Sequence, residues 1–440
     1  MIEAVEKLLA RMSDLGAERF YLKKLSPNDN SKNQLYLGGS FSVLNLIPHG
    51  SIVNDDSNTA GSKKERAKAK LDFYWVDENH CEVAPATQLI LYPKYPEVRM
   101  SGFLAGSRHA PSDVMATRDE GRLLFLGICH DGKILGYACK SNTQIANQIH
   151  AQNLQPTNRV LIELFRSGVD DSKAKLLEAL TAVYNKHWIP SQKLGKDGIA
   201  HPYSARNGGG YTLEAELGIK PNGYAEPDYL GWEIKQFGVR DFKKFAPKSP
   251  VTLFTPEPTG GIYKEAGIVE FMRRYSYADK SGKEHRVNFG GVYKAGGTGN
   301  KNTGLRMLLK GFDSMSKKIT DFVDGGLLLL SDTDEIAAKW GFSGLLEHWD
   351  KKHAKAAYIP SLFRTPPPEY SYGPKILLCE GTEFTNFLMG VYQGKIFYDP
   401  AIKIKGTPIE TGALKKRSQF RINHANLHEL YTHTKEVKIQ

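Results

Sequence analysis

Near residue 160 the chain changes its hydrophobic period, and that change constrains the fold more than any other feature of the sequence. Before it, RFYLKKL, SFSVLNLI, KLDFYWV, QLILYP, GRLLFLGI and KILGYACK are short apolar or alternating runs between turn residues, the pattern of a small all-β barrel or sandwich. After it, SKAKLLEALTAVYNKHW, GYTLEAELG, KEAGIVEFMRRY, LRMLLKGFDSMSKKITDF and DEIAAKWGFSGLLEHWDKKH read as helices, with GWEIKQF, VTLFT, GLLLLS and KILLCE as strands between them. A chain of 440 residues can bury two such cores. The expected fold is therefore a two-domain α+β protein. An all-β domain spans residues 1–153 and is closed by the helix NTQIANQIHAQ, a linker follows at 154–165, and an α/β domain with a mixed sheet fills 166–440. The polar stretch SIVNDDSNTAGSKKERAKAK is expected to be an exposed loop.

Charge narrows the classes of partner. The formal net charge is +11, and it is unevenly spread. Residues 1–150 hold 18 Lys and Arg against 17 Asp and Glu, so the remainder carries 41 against 31 and nearly all of the excess. A basic second half suits a polyanion such as nucleic acid. No run approaches the roughly 18 apolar residues of a membrane span, and MIEAVEKLLARM reads as an acidic amphipathic helix unlike a signal peptide, so a cytoplasmic location is expected. The four cysteines contain no CxxC pair, which argues against a thiolate zinc site and for buried free thiols. Neither NGGG at 207–210 nor AGGTGNKNTG at 295–304 is followed by the GK[ST] of a phosphate loop, so no nucleotide cofactor is expected. His424 and His428 have the i, i+4 spacing of a metal pair, but no third ligand lies nearby in sequence; ordinary helix histidines or DNA contacts fit them equally.

The stretch AEPDYLGWEIKQF carries the chemistry. Alternation along a strand puts Glu233 and Lys235 on one face, with Trp232 and Ile234 on the other. A straight strand would hold Asp228 about 17 Å from Glu233, so the chain must bend for both acids to share one metal ion, and Gly231 allows a turn or bulge there. Two carboxylates about 4 Å apart repel by roughly 4 kcal/mol at an effective dielectric of 20, which a divalent cation and Lys235 would offset. Oxygen ligands with open water positions favour Mg²⁺, which suits phosphodiester hydrolysis; an edge-strand ion pair is the plainer explanation of the same residues.

Taken in order, NGGGYTLEAELG, PDYLGWEIK, PVTLFTPEP and RSQFRIN resemble the MvaI/BcnI restriction endonucleases, relatives of the MutH nicking enzymes within the PD-(D/E)XK nucleases. The resemblance covers roughly Val160 to Gln440. It implies that Asp228 and Glu233 bind Mg²⁺, that Lys235 is the catalytic lysine, and that Glu214 is the helix glutamate supporting the metal site. Glu216 competes for that last role, but two residues along a helix turn it some 200° away. Base or phosphate contacts would come from Lys403, Lys405, Arg417 and Arg421, with Arg273 and Arg274 at a phosphate-facing helix end. One motif per chain cuts one strand, so two cuts require either a dimer or sequential nicking by a monomer that reorients; the resemblance implies the monomer.

The N-terminal runs FYLKKLSPNDN, YPEVRMSGFLAG and RLLFLGICHDGKILGYACKSNT are similar to the EcoRII effector domain, a DNA-binding pseudobarrel that grips the major groove with two arms. The arms would be about Lys23 to Tyr36 and Lys94 to His109, offering Lys24, Asn28, Asp29, Gln34, Arg99 and Arg108 to DNA. Together the two resemblances imply a Mg²⁺-dependent type II restriction endonuclease of double-stranded DNA, of the CCWGG-recognising group, whose N-terminal domain binds a second copy of the site. A MutH-like strand-nicking repair enzyme and a catalytically inactive DNA-binding protein are the alternatives.

Overall fold

The computed structural model describes residues 2–30, 34–55, 66–152, 154–156, 160–164, 172–205, 207–219, 227–406 and 408–439. The chain divides into two compact units, residues 1–169 with 318–320, and residues 170–317 with 321–440.

The first unit is built on two sheets. One has six strands in the order Leu161–Leu164, Ala17–Lys24, Leu123–Cys129, Ile134–Cys139, Phe73–Val76, Cys81–Val83; the other has five, Leu35–Gly38, Glu97–Ser101, Gln88–Tyr92, Ala67–Lys70, Val53–Asn54. All neighbours run antiparallel except Ile134–Cys139 beside Phe73–Val76. The central strands Leu123–Cys129 and Ile134–Cys139 are buried along their whole length, which is why they read as continuous apolar runs. Helices Val5–Asp14 and Gln144–His150 supply Leu8, Leu9, Met12, Ile145 and Ile149 to the core of the six-stranded sheet. Within the stretch expected as a linker, Leu161–Leu164 is an edge strand of that sheet, paired with Phe20 to Lys23. Of the expected loop, residues 56–65 lie outside the described residues, while Val53–Asn54 and Ala67–Lys70 pair as strands.

The second unit centres on a mixed sheet around the ten-residue strand Lys355–Arg364. Strand Glu233–Gly238 runs parallel to it from Glu233 opposite Ala356 to Gly238 opposite Ser361, whereas Glu369–Tyr372 and Lys375–Thr382 are antiparallel to it. Helix Ser172–Asn185 contributes Leu176, Leu180 and Val183 to a core shared with Leu213, Trp232, Ile234, Ile359 and Ile376.

Two expected helices are corrected. LRMLLK is a strand, Arg306–Lys310, paired antiparallel with Gly326–Leu330, because Thr303, Leu305 and Met307 alternate into the core with period two. IAAKWG is likewise a strand, Ile336–Gly341, on the other side of Gly326–Leu330, and the helix begins only at Phe342. The free thiols are buried at Cys129, Cys139 and Cys379, but Cys81 is exposed.

Candidate active site

Tyr229 and Trp232 exchange backbone hydrogen bonds, each N–H donating to the other's carbonyl at 3.0 and 2.8 Å, and enclose Leu230 and Gly231 at φ 48° and 81°. Two successive positive φ values make a type I′ turn, whose twist matches that of strands. Glycine takes the second position freely; Leu230 accepts a conformation that L-residues rarely adopt, with its side chain half exposed. The turn folds Asp228 back onto the strand beyond it, where Asp228 Oδ2 accepts the Ile234 N–H at 2.9 Å. The bend that the sequence required between the two acids is therefore a hairpin.

Glu233, the first residue of its strand, is 1% exposed. Lys235 Nζ donates to its Oε1 at 2.5 Å, and Lys352 Nζ lies 3.6 Å from the same oxygen. Its Oε2 is buried without a hydrogen-bond partner. Trp232 and Ile234, on the opposite face, are core residues, so packing of that face fixes where the charged face points.

Glu214 reaches the same charges from helix Gly208–Glu216. The helix approaches the sheet closely: a Cβ at Gly209 would meet Gln236 Oε1 at 2.8 Å and the Tyr370 ring at 3.0 Å, and Tyr372 donates to the Gly209 carbonyl at 2.7 Å. The glycine run thus seats the helix against the sheet. Burial raises the Glu214 carboxyl above its usual range, and the Asp228 carboxylate pushes it further, against Lys235. Glu216 is turned away, accepting from Lys186 Nζ at 2.5 Å and Gln192 Nε2 at 2.6 Å.

Asp228 is raised to about 6, by burial first and the Glu233 carboxylate second. For Lys235 burial works against the ammonium, yet Glu233, Asp228 and Glu214 together hold its pKa above the ordinary lysine value. The site is short of positive charge: two acids are held up towards protonation beside a lysine already hydrogen bonded, and a buried carboxylate oxygen lacks any partner. An oxygen-rich cluster of this kind fits a hard divalent cation. The three acids sense one another without converging: among the described residues, the three-residue cluster whose ligand atoms all lie within 4.8 Å of one another is instead Asp77, His80 and His109.

Lys352 was not found from sequence. It lies near the end of helix Phe342–His353, just before the strand Lys355–Arg364 that runs beside Glu233–Gly238, and its place follows only from a strand pairing over 120 residues long-range. The same pairing sets Tyr358 opposite Lys235; Tyr358 and Tyr431 hydroxyls lie 2.8 Å apart, and Tyr431 is 3.1 Å from His353 Nδ1. His353 is fully buried and kept neutral by burial, with Lys235 and Lys352 also opposing its charge.

The expected DNA contacts fall into two groups. Lys24, Asn28, Arg108, Lys405 and Arg417 are exposed, and Lys403 is half-buried. Lys403 stands directly across from Lys415, and Lys405 from Arg286, so three strands present a basic face; burial and these like charges lower the Lys403 pKa. Like charges in cross-strand register destabilise a sheet unless an anion covers them. Gln34 accepts from Tyr92 Oη at 2.7 Å, and Arg99 is bound to Glu97 and lies 5.4 Å over the Tyr92 ring. Asp29 is a different case: it is 1% exposed and accepts from Lys23 Nζ at 2.6 Å, Ser26 N at 3.0 Å and Tyr36 N at 2.9 Å, so its carboxylate is occupied within the loop rather than offered to DNA. Arg421 is committed inward as well, to Asp399 at 2.6 Å and the Pro250 carbonyl at 2.5 Å. Arg273 pairs with Glu270 and Glu410, and Arg274 with Glu270 and Glu335.

The model of the MvaI/BcnI restriction endonuclease family matches residues 177–431, more than half of the chain. The chain belongs to that family, and so to the site-specific endonucleases that act on DNA. Among solved structures, a restriction endonuclease MvaI in complex with its cognate DNA is 21% identical, covering 62% of this chain and 99% of that one with a TM-score of 0.45. MvaI without DNA is 20% identical, covering 61% and 98% with a TM-score of 0.33. A search of curated proteins found no match. No helix of the described residues is long and apolar enough to cross a membrane.

Proposed function

We propose that the protein is a Mg²⁺-dependent type II restriction endonuclease in which Asp228 and Glu233 hold the ion, Lys235 is the catalytic lysine and Glu214 supports the site. The observation that carries this reading is the type I′ turn that sets Asp228 against the Glu233 strand while one Glu233 oxygen stays buried and unpartnered. A divalent ion there supplies Lewis-acid polarisation of the phosphodiester and activation of water. The chain's own groups do the rest. Ile234 N–H orients the Asp228 carboxylate, and the neighbouring acids keep Lys235 protonated; in this reading its ammonium would stabilise the negative charge that develops on the scissile phosphate. Lys352 adds a second positive charge beside Glu233.

The two resemblances taken together further support a CCWGG-type site. That to the MvaI/BcnI enzymes supports cleavage by a monomer that cuts the strands in turn, and that of the N-terminal part to the EcoRII effector domain supports a pseudobarrel that binds a second copy of the site through Lys24, Asn28, Gln34, Arg99 and Arg108. The basic face around Lys403 and Lys405 would meet the DNA backbone. Asp228→Ala is expected to abolish plasmid cleavage in Mg²⁺ while a gel shift persists, and chelator should silence the parent protein. A variant that cuts at the parental rate would refute the assignment. Sequencing the ends of the digest gives the site, and accumulation of open circles without linear product would replace restriction with nicking.

A further inference from the structure

The N-terminal unit holds a second cluster of ligating groups, formed by Asp77 at the end of strand Phe73–Val76, His80 in the turn before Cys81–Val83, and His109 in the loop after Glu97–Ser101. One ligand atom from each lies within 4.8 Å of the other two. We propose that these residues form a binding site for a transition-metal ion of the zinc class, which ties the His109 loop to the Asp77–His80 turn.

Three observations support it. The donor set, two imidazoles and one carboxylate, is the kind that borderline metals such as Zn²⁺ take while keeping a position open to water. The ligands are also held in place by their own backbone. Asp77 Oδ1 accepts from the N–H groups of Asn79 and His80 at 2.8 and 2.7 Å, fixing the turn. Glu82 Oε2 accepts from the His109 backbone N–H at 2.7 Å and Ser107 Oγ at 3.1 Å, tying the loop to the neighbouring strand. Finally, the spacing is close to that of a bound ion. His80 Nδ1 lies 3.0 Å from both Asp77 oxygens, and tetrahedral zinc with ligands at about 2.0 Å would set an oxygen and a nitrogen roughly 3.3 Å apart. For the Asp77–His80 pair, exchanging the shared proton for the ion needs a shift of only a few tenths of an ångström. The His80 and His109 rings are stacked with centroids 3.9 Å apart and planes 10° from parallel; because ring nitrogens donate in the ring plane, the His109 ring must turn about its side-chain bonds to direct its lone pair at the ion, which its exposed loop position allows. Both histidines are exposed, so an ion can reach them without unfolding.

The test uses the full-length chain carrying Glu233→Gln, stripped with chelator and kept in excess Mg²⁺, titrated with Zn²⁺ against a chromophoric competitor. One equivalent of Zn²⁺ is expected to bind, with affinity lost at least tenfold in His80→Gln and in His109→Gln, both of which should melt at the parental temperature. Unchanged stoichiometry and affinity in both variants would overturn the proposal. Exposed Cys81 follows His80 directly and is the competing donor. Cys81→Ser should retain the equivalent of Zn²⁺, and Co²⁺ in its place should show no thiolate charge-transfer band; loss of binding in Cys81→Ser, or such a band, would overturn the assigned donor set.

Discussion

Asp29 and Glu233 are both buried carboxylates that hold a lysine, yet the chain uses them in opposite ways. Asp29 sits in a loop of the first unit with Lys23, Ser26 and Tyr36 all donating to it, so nothing is left for an outside group. Glu233 offers one oxygen to Lys235 and Lys352 and keeps the other without a partner, next to two further acids. Burial of a charge is tolerated when its lone pairs are filled, and a shortfall marks where structure has been traded for chemistry. Burial alone would not separate the staple from the site; satisfaction does.

The largest effect should come from filling that shortfall with a neutral group. Glu233→Gln keeps the shape and the hydrogen bond but removes the charge, and cleavage should fall by about 10³-fold or more, roughly 4 kcal/mol of transition-state stabilisation. Single-turnover cleavage of a duplex holding the site measures it. The same variant should melt no lower than the parent without metal. A variant with near-parental cleavage and a clear loss of stability would place Glu233 with the staples.

Asp29→Ala is the mirror experiment. It leaves the Lys23 ammonium, 3% exposed, without its counter-charge, and removal of one partner of a buried pair costs about 3–5 kcal/mol. Denaturant unfolding should show that loss, and cleavage of a single-site duplex by the folded fraction should be unchanged. If Asp29→Ala folded as stably as the parent but lost affinity for DNA, the expectation of a contact at Asp29 would return in place of the staple.

What could be read from the sequence follows the range of the interactions concerned. Asp228, Glu233 and Lys235 lie within eight residues, and strand alternation plus one glycine was enough to infer both the shared face and the bend. Helical rotation allows only one of Glu214 and Glu216 to face the site, and the family resemblance selects Glu214. A polar loop residue such as Asp29 looks available in sequence, whereas the fold turns Lys23 inward and the Tyr36 N–H towards it. Arg306–Lys310 was misread because apolar residues crowd LRMLL densely enough to satisfy either period, and only the partner strand Gly326–Leu330 decides between them. Lys352 was out of reach, since its approach to Glu233 depends on a parallel pairing between strands over a hundred residues apart. Local chemistry was visible; long-range pairing was not.

The acids of the site should also show themselves in stability against pH. Burial and the Glu233 carboxylate push Asp228 up to about 6 from the ordinary 3.8 of an aspartate, so the folded chain holds that proton more tightly than the unfolded one. For a raised acid the favourable contribution is present at low pH and is lost as pH rises from about 4 through about 6. At pH 7.5 without metal, Asp228 therefore destabilises the fold, and Asp228→Asn, which can still accept the Ile234 N–H, should be more stable by on the order of 1–2 kcal/mol. The gap between variant and parent should close as pH is lowered to 4. Melts in chelator at several pH values measure it, and a gap that widened on acidification would reverse the sign assigned to this group.

The smallest contrast lies on one helix. Glu214 faces the charges of Asp228, Lys235 and Glu233, whereas Glu216 pairs with the largely exposed Lys186. Surface pairs of that kind contribute about 0–1 kcal/mol, and a glutamine can keep the bond to Gln192, so Glu216→Gln should leave cleavage untouched and shift stability by less than about 0.5 kcal/mol. Glu214→Gln should lower cleavage by roughly tenfold, about 1.4 kcal/mol, because a helix residue that shapes the field of the site acts on the reaction without carrying it. The Mg²⁺ dependence separates these roles. If Glu214 supports the ion's site, Glu214→Gln should need more Mg²⁺ for half-maximal cleavage, while Glu216→Gln keeps the parental midpoint. Equal midpoints in both variants would move Glu214 out of the site and leave the turn at Asp228 and the Glu233 strand to hold the ion between them.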